Sequence, residues 1–317
     1  MMGMPGINVL KSLETELLEK ENGMDMDYIL AFEDVVFHYP DTVEPALRGL
    51  TAAIPRGCKT ALLGHNGSGK STLFLHAVGL LRPQRGRVLQ AGLPVSYAKK
   101  ELAALRRRVG LVFQDPEQQL ILGTPQDDIS FGLRGAGMDE AEIAARCAVV
   151  LELLNLSAIQ DKPIHQLSLG QKKRTALAGV MAMEPELLLL DEPTSYLDPL
   201  SEAQLLDGLD SIHRKGTTVV MATHDMNLAY RWADWIIILD QGVCRAAGAP
   251  EGIFAGGELL QRLGLALPLL AELWHSLPPS VTAGHTAPRN AGEFKALLNS
   301  LLGEGMGERA RVAGRQQ

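Results

Sequence analysis

Nine consecutive residues, Gly64-His65-Asn66-Gly67-Ser68-Gly69-Lys70-Ser71-Thr72, follow directly on an apolar strand pattern, Thr60-Ala61-Leu62-Leu63. A strand, a glycine-rich turn and a helix start in that order form the phosphate-binding loop of an α/β fold. Glycines let the backbone curl until successive N–H groups face one anion, and the helix starting near Lys70 adds the positive end of its dipole. Lys70 brings a positive charge to the β- and γ-phosphates, and the Ser71 hydroxyl is a ligand for Mg²⁺. The pattern predicts that Gly64, Asn66, Gly67, Ser68, Gly69, Lys70, Ser71 and Thr72 hold a nucleoside triphosphate.

Apolar runs recur at 59–64, 109–113, 187–190, 217–222 and 235–239, with helix-length segments between most of them. That is how a parallel sheet covered on both faces reads, so the core is expected to be α/β. Short β-like runs at 29–32, 35–39 and 46–54 predict an antiparallel sheet beside the loop. Residues 115–170 have helical periodicity without strand patterns and read as a helical subdomain. The expected organisation is an amino-terminal extension over 1–27, with a short amphipathic helix around Leu10, Leu13, Leu17 and Leu18, then a catalytic domain over 28–248. A carboxyl-terminal helical extension over 249–317 follows, with a helix at 258–277 interrupted at Pro268 and another at 293–302.

Three of the predicted strands end in polar groups. The run Leu187-Leu188-Leu189-Leu190 ends in Asp191-Glu192, and ligands of open parallel sheets sit at such carboxyl ends. Asp191 is placed to hold Mg²⁺, directly or through water, and Glu192, one residue further out, to polarise the attacking water. Gln114 and His224 emerge from the same sheet edge and are candidates for orienting the γ-phosphate or that water. In Leu167-Ser168-Leu169-Gly170-Gln171, Ser168 suits a helix N-cap, yet Lys172, Lys173 and Arg174 then sit at the positive end of the dipole. The mismatch disappears if an anion docks there, and the expected anion is the γ-phosphate of a nucleotide held by another chain.

Composition removes other classes. With 46% hydrophobic residues the 317-residue chain can bury a large core, and a net charge of -7 argues against nucleic acid as main partner. Cys58, Cys147 and Cys244 have neither metal-ligand spacing nor an even framework, as expected in a reducing cytosol. The first ten residues lack the pattern of a secretory signal. The greasiest stretch, 263–274, is broken by Pro268 and Glu272 and is shorter than the ~20 residues a spanning helix needs, so a membrane link is expected through a partner.

Taken in order, the phosphate loop, Gln114, Leu167-Ser168-Leu169-Gly170-Gln171, Asp191-Glu192, Ser195-Tyr196-Leu197-Asp198 and His224 resemble the full motif set of an ABC ATPase subunit, over about residues 28–248. The resemblance implies a P-loop domain with a mixed, largely parallel sheet, an antiparallel β subdomain and a helical subdomain. It implies ATP stacked on Tyr39, Mg²⁺ held by Ser71, Gln114 and Asp191, and catalysis by Glu192 with His224 as the switch contacting the γ-phosphate. It also implies a head-to-tail dimer, in which Ser168, Gly170 and Gln171 close over the nucleotide of the other subunit and residues 195–198 cross between subunits. Leu169 stands where glycine is commonest, and Tyr196 where a small residue is commoner. Both variants are similar to one branch, the ATPases of energy-coupling-factor importers, and most of all to the cobalt importer ATPase. That branch implies a second ATPase subunit, identical or closely related, at the cytoplasmic face of the cell membrane. It further implies a substrate-binding membrane subunit, and a transmembrane coupling subunit docked in a groove lined by Gln118 and Gln119. An importer for nickel or a vitamin is the alternative. A soluble ABC ATPase acting in DNA repair or on ribosomes is disfavoured by the single cassette and the lack of a coiled-coil insertion between Lys70 and Ser168, and a small-molecule kinase leaves the Ser168 helix unexplained.

Overall fold

Four adjacent leucines show how the core is layered. In the computed structural model, which describes residues 27–40, 42–255 and 257–300, Leu187 and Leu189 face one hydrophobic cluster while Leu188 and Leu190 face another. Side chains on a strand alternate between faces, so a strand covered on both sides is apolar throughout. This strand, β7 (Leu187–Asp191), lies in a six-stranded sheet of order β10-β9-β3-β8-β7-β6. Its other members are β3 (Lys59–Leu63), β6 (Val109–Val112), β8 (Thr218–Thr223), β9 (Trp235–Asp240) and β10 (Val243–Gly248). All pair in parallel except β10, which turns back antiparallel on β9.

A second, antiparallel sheet has the order β2-β1-β4-β5, formed by β1 (Tyr28–Phe37), β2 (Leu47–Pro55), β4 (Arg85–Gln90) and β5 (Leu93–Pro94). The runs expected at 29–32 and 35–39 are one strand, β1, with an irregularity between Phe32 and Val35 where Asp34 takes φ 48°. Leu30, Phe32 and Leu50 of this sheet meet Leu62, Val220 and Ile237 of the large sheet, together with Phe74 of α1 (Lys70–Ala77). Helix α2 (Lys99–Arg108) adds Leu105 to the same layer.

The opposite face of the large sheet is covered by α3 (Pro125–Gly135), α4 (Glu140–Leu153), α5 (Leu169–Met181), α6 (Pro199–Arg214) and α7 (Met226–Trp232). Their starts follow from local sequence. Thr124, Asp139, Asp198 and Asp225 cap α3, α4, α6 and α7 through side-chain oxygens that accept backbone N–H groups, and Pro125 and Pro199 follow two of these caps.

Beyond β10 the chain forms α8 (Pro250–Ala255), α9 (Gly257–Arg262), α10 (Leu269–Ser276) and α11 (Pro279–Thr282), with helix again at 291–300. Pro268 separates α9 from α10 as the pattern predicts. Phe254, Leu260 and Ala271 are buried in the cluster beneath the large sheet, and Arg289 donates to the carbonyls of Tyr230 and Ala233. The amphipathic pattern expected near Leu10 to Leu18, and the end of the helix expected at 293–302, lie outside the described residues. Among the described residues no helix is long and apolar enough to cross a membrane.

Candidate active site

The carboxyl ends of β3, β6, β7 and β8 open on one edge of the sheet, and each delivers part of the site. After β3 the backbone turns at Gly64, φ 150°, so close beneath β9 that an added Cβ would lie 2.2 Å from the Leu239 carbonyl oxygen. Any side chain there would displace the loop. The Lys70 amine lies back across the loop, donating to the carbonyls of Gly64 at 2.7 Å and His65 at 3.2 Å. Burial lowers its pKa, and the charges of Glu192 and Asp191 oppose that shift. Ser68 Oγ is buried without a hydrogen-bond partner, leaving a donor inside the loop for an anionic ligand.

Ser71 Oγ donates to Asp191 Oδ2 at 2.5 Å, which joins the first turn of α1 to the end of β7. Burial raises the Asp191 pKa, and the Ser71 hydrogen bond works the other way. Gln114, beyond β6, lines a cleft of about 290 Å³ with Ser71, Phe74, Phe113, Gln118 and Asp191. The donor set there is hard oxygen. Among the described residues no group of three or more His, Cys, Asp or Glu could hold a metal ion, so a cation here would take its remaining ligands from phosphate and water. That is the habit of Mg²⁺, and the residues fit it.

Glu192 is buried and adopts a left-handed backbone, φ 48°. Its Oε2 accepts from Ser195 Oγ at 2.9 Å and from His224 Nδ1 at 2.8 Å. Tyr39 comes to the same region from the antiparallel sheet, its hydroxyl 3.2 Å from Thr72 Oγ1 and its ring edge-on to Phe37 at 5.1 Å. The residues expected to converge, from Gly64 to Thr72 with Tyr39, Gln114, Asp191, Glu192 and His224, therefore occupy one edge.

Ser168, Gly170 and Gln171 do not line the cleft over Ser71 and Asp191. They form the start of α5, where Ser168 Oγ accepts from Gln171 N–H and Gln171 Oε1 accepts from Ser168 N–H. This reciprocal capping box satisfies two end groups at once. Gly170 packs so tightly on α6 that a Cβ would lie 2.7 Å from Ser201 Oγ.

Lys172, Lys173 and Arg174, the cations at the positive end of α5, each have a partner within the chain. Lys172 pairs with Glu117 at 2.5 Å, Arg174 donates to Gln204 at 2.7 Å, and Lys173 donates to three backbone carbonyls. An anion meeting this turn has its backbone and the Ser168 hydroxyl. The groove expected beside the Gln114 loop is present at about 360 Å³, lined by Phe113, Gln119, Ile121 and Phe131. Gln119 spends its amide on the edge of β6, accepting from Phe113 N–H and donating to the Leu111 carbonyl, while Gln118 lines the phosphate-side cleft instead. Sequence reasoning missed the attachment of Lys173. Its spacing from Gly170 and Leu177 puts it on the buried face of α5, which was the available signal.

Comparison with known proteins agrees with this geometry. The model of the ABC transporter family matches residues 47–195. A Nostoc protein provisionally named an ABC transporter ATP-binding protein is 46% identical over 246 residues, 78% of this chain and 90% of that protein. The energy-coupling factor transporter ATP-binding protein EcfA of Carboxydothermus hydrogenoformans is 39% identical over 277 residues, 87% of this chain and 100% of that one. Among solved structures, CbiO1 from Clostridium perfringens, part of the ABC transporter complex CbiONQ, superimposes with a TM-score of 0.68 at 39% identity, covering 78% of this chain and 99% of that one. A dimeric ATP-binding cassette, MJ0796, in a post-hydrolysis state with ADP and phosphate, gives 0.64 at 28% identity, over 70% of this chain and 98% of that one. With a phosphate loop, a carboxylate pair and a histidine on one sheet edge, and relatives matched over nearly their full length, the chain belongs to the ABC transporter family as an ATP-hydrolysing subunit of the energy-coupling-factor type.

Proposed function

We propose that this subunit hydrolyses ATP to energise uptake of a transition-metal ion, cobalt, through a membrane importer, and that it does so at the cytoplasmic face as one of two head-to-tail ATPase subunits. The observation that carries the dimer is the division of the site. Glu192, His224 and the phosphate loop share one edge, whereas Ser168, Gly170 and Gln171 cap a helix that does not line the same cleft. Each is half of a complete site. The solved dimeric relative with ADP and phosphate supports that arrangement, and the resemblance of the Leu169 and Tyr196 variants to the cobalt importer ATPase supports the choice of cobalt.

In this reading Tyr39 stacks on adenine, and residues 64–72 hold the phosphates through backbone N–H groups and Lys70. Ser71, Asp191 and Gln114 would hold Mg²⁺, which supplies charge stabilisation to the phosphates when bound. Glu192 polarises the attacking water, and His224 holds the Glu192 carboxylate through Nδ1–H and meets the γ-phosphate. The groove lined by Phe113, Ile121 and Phe131 receives a helix of the coupling subunit. Ile121 and Phe131 are exposed apolar residues, as a docking site for a membrane partner requires.

The test is Glu192→Gln. Turnover is expected to stop while ATP-bound dimer accumulates, seen by size-exclusion chromatography with labelled nucleotide. Hydrolysis at the parent rate removes Glu192 from its role. Cobalt-dependent growth that survives loss of the subunit and its transporter would remove the cargo assignment alone.

A further inference from the structure

Lys173 is 4% exposed, and its ammonium faces a single turn of backbone. Nζ donates to the carbonyls of Glu192 at 3.2 Å, Pro193 at 3.0 Å and Ser195 at 2.9 Å. An ammonium has three protons, so the whole donor set is used on this one segment. The clamped segment is bracketed by two non-glycine residues in the left-handed region, Glu192 at φ 48° and Tyr196 at φ 63°. Such backbone is costly and persists only where its surroundings over-determine it. Here those surroundings include Lys173, the bond from Ser195 Oγ to the Glu192 carboxylate, and backbone bonds from Glu192 N–H to the Ala222 carbonyl and from Ser195 N–H to the Glu192 carbonyl.

The attachment also spans two parts of the machine. Lys173 lies one turn after Gly170 on α5, the helix that begins with the Ser168 cap. From its amine the contacts run through the turn at Glu192 to the carboxylate and on to His224. We propose that Lys173 is a positioning residue for hydrolysis: by gripping the carbonyls of Glu192, Pro193 and Ser195 it aims the Glu192 carboxylate and ties that aim to the placement of the Ser168 helix. Docking of this helix on a second subunit's nucleotide is thereby transmitted to the water-activating group of its own chain. The inference rests on the reading of Glu192 given above.

The experiment compares Lys173→Met, which fills the space without donors, with Lys173→Gln, which offers two N–H donors, and with Glu192→Gln, in the full chain. Lys173→Met is expected to lower kcat by about 100-fold, the scale of a small misplacement of a catalytic group. KM for ATP and the affinity for a fluorescent ATP analogue stay within about twofold of the parent. Lys173→Gln recovers part of the rate. A parent-like kcat in Lys173→Met while Glu192→Gln is inactive overturns the role of Lys173 and leaves Glu192 in place. Parent-like hydrolysis by Glu192→Gln overturns the underlying reading. A rise in KM matching the fall in kcat, or loss of folded protein in both Lys173 variants, reduces Lys173 to a structural contact and also overturns the proposal.

Discussion

His224 Nδ1 lies 2.8 Å from Glu192 Oε2, and the two partners are unequally shared with solvent: the carboxylate side chain is 7% exposed and the imidazole 67%. Because a carboxylate only accepts, Nδ1 must carry the proton, which leaves Nε2 as the nitrogen available to a ligand. Glu192 gives this arrangement its anchorage and His224 its reach.

Substituting His224 by Ala is accordingly expected to lower kcat by about 100-fold, the scale of losing one proton-handling or orienting group. ATP affinity should change little, since the phosphate loop is untouched. Single-turnover hydrolysis and equilibrium ATP binding by the variant check this, and a rate within about twofold of the parent would show that the imidazole takes no part.

Ser71 and Asp191 make a sharper case for cation dependence. They stand 2.5 Å apart as two of the few protein oxygens facing the cleft, so losing either should weaken Mg²⁺ more than ATP. Ser71→Ala is expected to raise the Mg²⁺ concentration for half-maximal hydrolysis by about tenfold, roughly 1.4 kcal/mol of binding. Chelation with EDTA should abolish hydrolysis in the parent. A variant with an unchanged Mg²⁺ titration would show that the hydroxyl is not a ligand.

The strands that carry the site were legible because each is buried on both faces: Leu187-Leu188-Leu189-Leu190 is unbroken because both clusters demand it. Strand β4 was hidden for the opposite reason. Arg85, Gly86 and Arg87 are exposed and only Val88 and Gln90 are buried, so hardly any apolar pattern survives. The convergence of Gln114, Asp191, Glu192 and His224 could be read because parallel strands present their carboxyl ends together. The partners of Lys172, Lys173 and Arg174 could not. Three adjacent cations look alike in sequence, yet successive residues on a helix point about 100° apart, and here one meets Glu117, one a turn of backbone and one Gln204. Gln118 and Gln119 diverge between two cavities for a similar local reason.

Leu260 tests how firmly the carboxyl-terminal helices belong to the catalytic lobe. It is fully buried with Phe254 in the cluster under the large sheet, and the following turn brings the Leu263 carbonyl to 2.9 Å from His65 Nε2 of the phosphate loop. Leu260→Ala should destabilise the fold by about 2–5 kcal/mol. Removing everything after Gly248 should cost more, because it uncovers the cluster over a wider area. Urea unfolding measures both, and a truncated chain as stable as the parent would show that these helices are not part of the cooperative core.

Lys173 offers a prediction with a definite sign. Burial pushes its ammonium down to about 8 from 10.5, while the carboxylates of Glu192 and Asp115 pull the other way. In the unfolded chain the amine titrates near its ordinary value, so between about pH 8 and about pH 10.5 the unfolded state binds more protons than the folded one. The contribution of this group to stability therefore rises with pH through that window and is least favourable below it, where both states are charged. Relative to Lys173→Met, the parent should gain about 2 kcal/mol of unfolding free energy between about pH 7.5 and about pH 9.5. Urea melts of the two proteins at each pH measure the difference, with every other titrating group cancelling. A difference that is flat, or that favours the variant as pH rises, would mean that the amine is not held as a buried cation. The predicted slope means that the charge at Lys173 costs stability near neutral pH, and the geometry of the Glu192 turn is the return that accounts for its being there.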